Sequence, residues 1–236
     1  MRAEIDAALD RDGYVLLQSV FCPKEVAGLI ASCRHMLHEA VGDPAVLAGK
    51  HGPAYGARNL LQLWPEVVQV ARKPALVAVL RHILGPGSGI VRALYFDKPP
   101  GHSWSLPWHR DYTIAVKAHG PIGRFQKPTL KAGVPHVEAP IELLARMLTM
   151  RVHLDNMTVE NGPLRVIPGS HKGREDREAV TIYGQAGDVL LMRPLLLHGS
   201  GHSLDETAQH RRIVHLECAP AGPLPDNYEW HNFISL

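Results

Sequence analysis

The run Trp108-His109-Arg110-Asp111 holds two metal-ligating side chains with one residue between them, and a third candidate, His198, stands far downstream in Leu195-Leu196-Leu197-His198-Gly199-Ser200. Side chains alternate between the two faces of a β-strand, so a strand through the first run turns His109 and Asp111 the same way and Arg110 the other. Two ligands from one strand grip one side of a metal, and a distant third completes it. Two imidazoles and a carboxylate with open coordination positions form the facial ligand set of non-haem Fe(II) sites. Arg211 follows His198 by 13 residues.

Spacing alone is weak evidence, because the chain carries 15 histidines and four His-x-acid pairs: His109/Asp111, His136/Glu138, His153/Asp155 and His215/Glu217. Some such pairs arise by chance, and each needs its context. His136/Glu138 falls in a Gly/Pro-rich stretch with no strand to align its side chains. His153/Asp155 lies on a good strand, but Asp155 leads into the turn at Asn161-Gly162 and is expected to cap it. His215/Glu217 follows Arg211 on one strand face and either lines a barrel or packs at its mouth. His109/Asp111 could itself be a salt-linked surface pair. The downstream pieces favour the metal.

The elements that would position these residues are legible in outline. A short helix over Arg2–Leu9 and a turn at Asp12-Gly13 lead into the strand Tyr14–Leu17. Pro23 suits a first helical position, and Val26, Leu29, Ile30, Cys33 and Leu37 recur at helical spacing to about Val41. Residues 42–56 read as a loop, and a second helix is expected over 65–84, ended by Gly85-Pro86-Gly87. Strands then dominate: 90–96, the His109 run, 149–155, 164–167, 189–192, the His198 run and 211–218. Residues 112–146, punctuated by Gly and Pro, read as a long excursion, and such insertions are usually lids or binding loops; a short helix is expected at 141–147. Two helices followed by many short strands argue for helices backing a sheet rather than a βαβ array, and for a sandwich or jelly roll.

With 236 residues, 45% of them hydrophobic, the chain can bury a full core. Its 25 Lys+Arg against 23 Asp+Glu leave a net charge of +2 with no basic stripe, so neither a nucleic acid nor a membrane is expected as a partner. Cys22, Cys33 and Cys218 lack metal-type spacing and read as reduced, buried thiols of a cytoplasmic protein. No signal core opens the chain, and nowhere do 18 apolar residues run together.

Several runs, in order and spanning nearly the whole chain, resemble the phytanoyl-CoA dioxygenase (PhyH) family of Fe(II)/2-oxoglutarate oxygenases. They are Asp12-Gly13-Tyr14-Val15, Asp97-Lys98-Pro99-Pro100, Trp108-His109-Arg110-Asp111, and Glu160-Asn161-Gly162-Pro163-Leu164 through Pro168-Gly169-Ser170-His171, followed by Gly187-Asp188-Val189-Leu190, His198-Gly199-Ser200 and Arg211-Arg212. The resemblance implies a mainly β fold, the double-stranded β-helix (a cupin-like jelly roll), with the N-terminal helices packed on the outside of the sheet. It implies one domain over 1–236, with helices to about 85, a jelly-roll core over about 88–220 and a lid-like insertion over about 112–146.

Carried over to these positions, the family's pattern has His109, Asp111 and His198 bind iron. Arg211 then holds the distal carboxylate of 2-oxoglutarate, with Arg212 as the possible substitute, and Ser200 adds a hydroxyl to that carboxylate. Arg58 falls where the family can place a basic cosubstrate contact. Arg151 stands where the family's founding enzyme has an aromatic, and would meet the cosubstrate or an anionic substrate group. Trp104, Trp108, Lys131 and His136 are candidate pocket lining. The implied reaction consumes O2 and 2-oxoglutarate, releases succinate and CO2, and hydroxylates a C–H bond of a small-molecule substrate. Asp111 favours this over halogenation, which needs a small residue at its position. Two other classes share the fold: a metalloenzyme using another metal without 2-oxoglutarate, and a non-catalytic binding module.

Overall fold

The computed structural model describes residues 2–49, 52–121 and 123–236. Helix α1 (Arg2–Arg11) passes through a left-handed Gly13 into β1 (Tyr14–Leu17). In α2 (Pro23–Glu39) the Glu25 carboxylate accepts the backbone N–H of Cys22 at 2.7 Å, closing the helix start. Residues 42–56, expected as a loop, instead hold most of a hairpin, β2 (Val46–Ala48) and β3 (Ala54–Ala57), which extends the main sheet at one edge. The single helix expected over 65–84 is also broken. After a short α3 (Leu60–Leu63), it runs as a 3₁₀ turn at Pro65–Val67, α4 (Val68–Ala71) and α5 (Pro74–Leu84). Pro74 lacks the N–H that would continue α4 and disfavours helical geometry in Lys73, so a new helix starts there.

The strands that follow are β4 (Gly89–Phe96), β5 (Leu106–His109), β6 (Thr113–Ala115), β7 (Gln126–Lys131) and β8 (Val134–Glu138). After α6 (Ile141–Leu144) come β9 (Leu148–His153), β10 (Leu164–Val166), β11 (Val180–Thr181), β12 (Val189–Met192), β13 (His198–Ser200), β14 (Ile213–Ala219) and β15 (Ile234–Ser235). All pairings are antiparallel. The main sheet has the order β1-β12-β9-β14-β4-β3-β2, with β15 beside β4, and a second sheet has the order β11-β10-β13-β5. Together they make a double-stranded β-helix. The stretch 112–146, expected as a long irregular excursion, is a third sheet of order β6-β8-β7. Its tight turn places both Ala132 and Gly133 at positive φ between the paired Lys131 and Val134, the geometry that suits a two-residue hairpin. An alanine at such a position, and prolines at 128 and 135 within the strands, hide this hairpin from pattern reading.

Alternation along the main sheet separates two environments. Val15, Met150, Val152, Leu191, Val214 and Leu216 share one apolar cluster with Leu9, Val26, Cys33 and Leu80 of the helices, so the N-terminal helices cover that face. The intervening positions Arg92, Leu94, Phe96, Arg151, Ile213 and His215 turn the other way and line a cavity. Of the three cysteines Cys33 and Cys218 are buried, but Cys22 is exposed at the start of α2, contrary to the expectation for all three.

Gly187 opens the turn into β12 at φ +96°, and a Cβ there would sit 2.2 Å from the carbonyl oxygen of Phe21. That carbonyl belongs to the residue whose own N–H donates to the Gly187 carbonyl at 2.9 Å, so the contact cannot simply open. Gly187→Ala is predicted to destabilise the fold by about 1–3 kcal/mol through backbone strain alone. A melting temperature within a degree of wild type would show that the turn yields freely.

Candidate active site

β5 and β13 lie side by side, with His109 opposite His198 and their ring centroids 4.2 Å apart. β5 ends at His109, so Asp111 does not share its strand as alternation supposed. It reaches the same place from the exit of the strand, where its N–H donates to the carbonyl of Pro194 at 2.9 Å. Asp111 Oδ1 is 3.7 Å from His109 Nε2, and Oδ2 is 3.7 Å from His198 Nε2. One ligand atom of each of the three lies within 4.8 Å of the others, the one such cluster of His, Cys, Asp and Glu among the described residues.

The hydrogen bonding around the cluster fits a metal. His109 Nδ1–H donates to the Pro107 carbonyl and His198 Nδ1–H to the Leu196 carbonyl, each at 2.8 Å. A carbonyl only accepts, so each ring carries its proton on Nδ1 and turns the lone pair of Nε2 toward the shared space, the form a metal needs. Burial pushes the His198 imidazole down to about 4, with Asp111 partly opposing, so it is neutral at pH 7. Burial raises the Asp111 carboxyl, but His198, His215, His109 and Arg92 together outweigh it, and the acid lies below its ordinary value. Asp111 Oδ2 is buried without a hydrogen-bond donor among the described residues.

The cluster opens into a cavity of about 490 Å³ whose walls also include Ser200, Arg211, Arg151, Arg58, Lys131 and His136. Arg211 is 1% exposed, and its Nε and Nη1 donors have no partner among the described residues. Burial lowers its guanidinium to about 10, still charged at neutral pH. The side chain of Arg212 points elsewhere. It makes a two-point ion pair with Asp155, at 2.6 and 2.9 Å, and its backbone N–H donates to the same carboxylate at 2.7 Å. Asp155 is therefore no turn cap. Asn161 does that work, accepting the Thr158 N–H at 3.0 Å and donating to the Asn156 carbonyl at 2.7 Å. His153 is buried and stands apart from the cavity.

Lys98 has no exposed surface, and its Nζ lies at hydrogen-bond distance from Ser200 Oγ (3.0 Å), the Gly162 carbonyl (3.1 Å) and that of Gly201. Burial, reinforced by Arg211 and Arg151, lowers it to about 6. Its role was invisible in the sequence, where it is one residue of a Pro-containing loop. Arg151 is buried beside His215 in the sheet, and burial together with Arg211 lowers its guanidinium far below its ordinary value. Contrary to expectation, His136 and Glu138 lie on a strand, β8, and both line the cavity. His215 lines it too, and Glu217 pairs with Arg92. The period-two run Ile213-His215-Glu217 opposite Arg92-Leu94-Phe96 was the signal that could have found this polar row. Trp104 joins the wall, whereas Trp108 is 42% exposed and stacks on Arg165.

A family model described as Phytanoyl-CoA dioxygenase (PhyH) matches residues 9–213. The ectoine dioxygenase of Sphingopyxis alaskensis is 28% identical over 223 residues, which cover 92% of this chain and 63% of that protein. The chain thus spans less than two thirds of that relative's length. EctD from S. alaskensis, solved with 2-oxoglutarate and 5-hydroxyectoine, superposes with a TM-score of 0.72 at 24% identity, covering 92% of this chain and 76% of that one. SnoN, a non-heme alpha ketoglutarate dependent epimerase from nogalamycin biosynthesis, superposes at 0.68 with 20% identity, covering 93% and 83%. These similarities establish the fold.

Burial holds His136 down at about 4 and His153 at about 3, while both would titrate near 6.5 in the unfolded chain. Each is neutral in the fold, so the stability it permits is complete above about pH 6.5 and is lost as pH falls toward the folded values. Metal-free protein is predicted to lose up to about 1.4 kcal/mol per pH unit for each histidine between pH 6 and 4.5. His153→Gln should flatten the urea-unfolding pH slope by one histidine's share; parallel slopes would show that the ring is protonated in the fold.

Proposed function

The chain belongs to the phytanoyl-CoA dioxygenase family, and from that premise we propose that it is a non-haem Fe(II)/2-oxoglutarate-dependent dioxygenase hydroxylating a C–H bond of a small molecule. The observation that carries this reading is the convergence of His109 Nε2, Asp111 and His198 Nε2 beside a buried Arg211 with unpaired donors. His109, Asp111 and His198 hold the iron. When bound, iron and 2-oxoglutarate supply the activation of O2, with succinate and CO2 as coproducts and a hydroxylated substrate as the outcome.

The chain's own contribution is placement and dryness. The Pro107 and Leu196 carbonyls lock both imidazoles in one tautomer and one rotation, which keeps the ligand set assembled before any metal arrives. Arg211 binds the distal carboxylate of 2-oxoglutarate, and its burial makes that charge-assisted contact stronger than it would be in water. Lys98 donates to Ser200 Oγ, so the Ser200 O–H is left free to donate to the same carboxylate. Arg151 brings a buried Nε, unpaired among the described residues, to the wall shared with Arg211 and Asp111. The third sheet contributes Thr113, Lys131, His136 and Glu138 to the cavity, which makes the segment of about 112–146 the substrate-facing cover of a single domain. Unpaired Cys22, Cys33 and Cys218 fit a reducing, cytoplasmic setting.

Protein loaded anaerobically with Fe(II) should bind 2-oxoglutarate and, on exposure to air, form succinate slowly without substrate. EDTA should abolish this and Fe(II) restore it. His109→Ala should lose iron binding, whereas Arg211→Ala should keep iron and bind 2-oxoglutarate about 10–100-fold more weakly. A folded protein that bound neither iron nor 2-oxoglutarate would sink the reading in favour of a binding module.

A further inference from the structure

The cavity holds more positive charge than the reaction above uses. Arg58, Arg92, Lys131, Arg151 and Arg211 all line it. Arg92 is neutralised by Glu217, and the cavity's Glu138 is engaged by Lys127 at 3.0 Å. Asp111 belongs to the metal cluster, and Arg211 is assigned to the cosubstrate. Arg151, which is acted on by Arg211 and Asp111, belongs to the Arg211 end of the cavity, so Arg58 and Lys131 are left. The half-buried guanidinium of Arg58 has no hydrogen-bond or ion-pair partner among the described residues, and Lys131 has only the Thr113 hydroxyl, at 3.3 Å.

These two cations belong to one place. Asn59, next to Arg58, donates its side-chain amide to the carbonyl of Ala132, next to Lys131, at 3.3 Å. That bond stitches the segment after β3 to the tip of the β7–β8 hairpin and brings Arg58 and Lys131 to one wall. Burial, Arg92 and Arg58 lower the Lys131 ammonium, and Glu217 and Asp111 oppose them. Glu217, paired with Arg92, and Ile213 are four residues apart on β14, about 13 Å along a strand, with Arg211 beyond Ile213. The cavity therefore has two cationic ends with the metal cluster's Asp111 in reach of the second.

We propose that Arg58 and Lys131 form an anion subsite for the oxidisable substrate, which is accordingly a small organic molecule bearing a carboxylate or phosphonate group. The assignment rests on the oxygenase reading above and moves Arg58 from the cosubstrate, where the family resemblance put it, to the substrate. Two partly buried like charges without counterions raise each other's cost, and an anion between them removes it. The group would anchor one end of the substrate against the hairpin while the remainder extends toward Asp111.

The test uses full-length protein loaded with Mn(II) and saturated with 2-oxoglutarate, so that the Arg211 end is filled and no turnover occurs. Hexanoate, hexylphosphonate and uncharged hexanamide are titrated by calorimetry, the two acids distinguishing the head groups. At least one anion should bind about tenfold or more tightly than hexanamide, and Arg58→Ala and Lys131→Ala should each remove most of that difference while leaving 2-oxoglutarate affinity unchanged. Arg58→Glu should reverse the preference toward hexylamine. Equal binding of acid and amide, no binding of either acid, loss of acid binding as 2-oxoglutarate saturates, or indifference to both alanine variants would overturn the subsite. Failure of Mn(II) and 2-oxoglutarate to bind would instead overturn the oxygenase reading, whatever the acids do.

Discussion

The constraint on which the structure turns is the burial of charge without protein partners. Arg211 is buried and Asp111 partly so, and each keeps a buried polar atom that nothing in the described chain satisfies. Such groups cost several kcal/mol apiece when left uncompensated. The fold has to hold them in place with bonding drawn from elsewhere. The opposite face of the same sheet provides it: the apolar side of β1, β12, β9, β14 and β4 packs under the N-terminal helices in one continuous cluster. Strand alternation thus does two jobs at once in β4, β9 and β14, where residues packed under the helices alternate with residues that line the cavity.

That division explains why the polar residues of the site are stiff. Lys98 and Arg211 face each other across a pair of backbone hydrogen bonds, 3.1 and 3.2 Å, that prolong the β4–β14 ladder beyond its named strands. The ladder fixes the backbone from which each of the two side chains extends. The imidazoles of His109 and His198 are fixed in the same spirit by backbone carbonyls two residues before each ring. Preorganisation of this kind places the cost of assembling the site in folding rather than in binding.

How far the sequence revealed this follows from the range of each interaction. Alternation within one strand is local, so β1, β4, β12 and β14 are open to pattern reading, whereas the choice of Arg211 over Arg212 comes from the family resemblance. His109 and His198 could be paired only through a resemblance spanning the chain, because no periodicity connects residues so far apart. Asp111 was placed correctly in space by an argument that was wrong in detail, since β5 ends before it. The third sheet was missed because Ala132 takes a conformation normally left to glycine or asparagine. Lys98 was missed because its importance lies entirely in tertiary contacts to Ser200, Gly162 and Gly201.

The arrangement separates what is common from what can vary. The metal cluster and Arg211 stand on strands of the two principal sheets or at their ends, whereas Lys131, His136 and Glu138 come from the third sheet, and Arg58 from the edge hairpin stitched to it. A change in the hairpin can thus reshape that wall of the cavity without disturbing His109, Asp111 or His198. The superposable SnoN is an epimerase and EctD was solved with 2-oxoglutarate and 5-hydroxyectoine, so one fold hosts different small-molecule sites. In such a scaffold the identity of the substrate is written in the walls, and here those walls carry uncompensated positive charge.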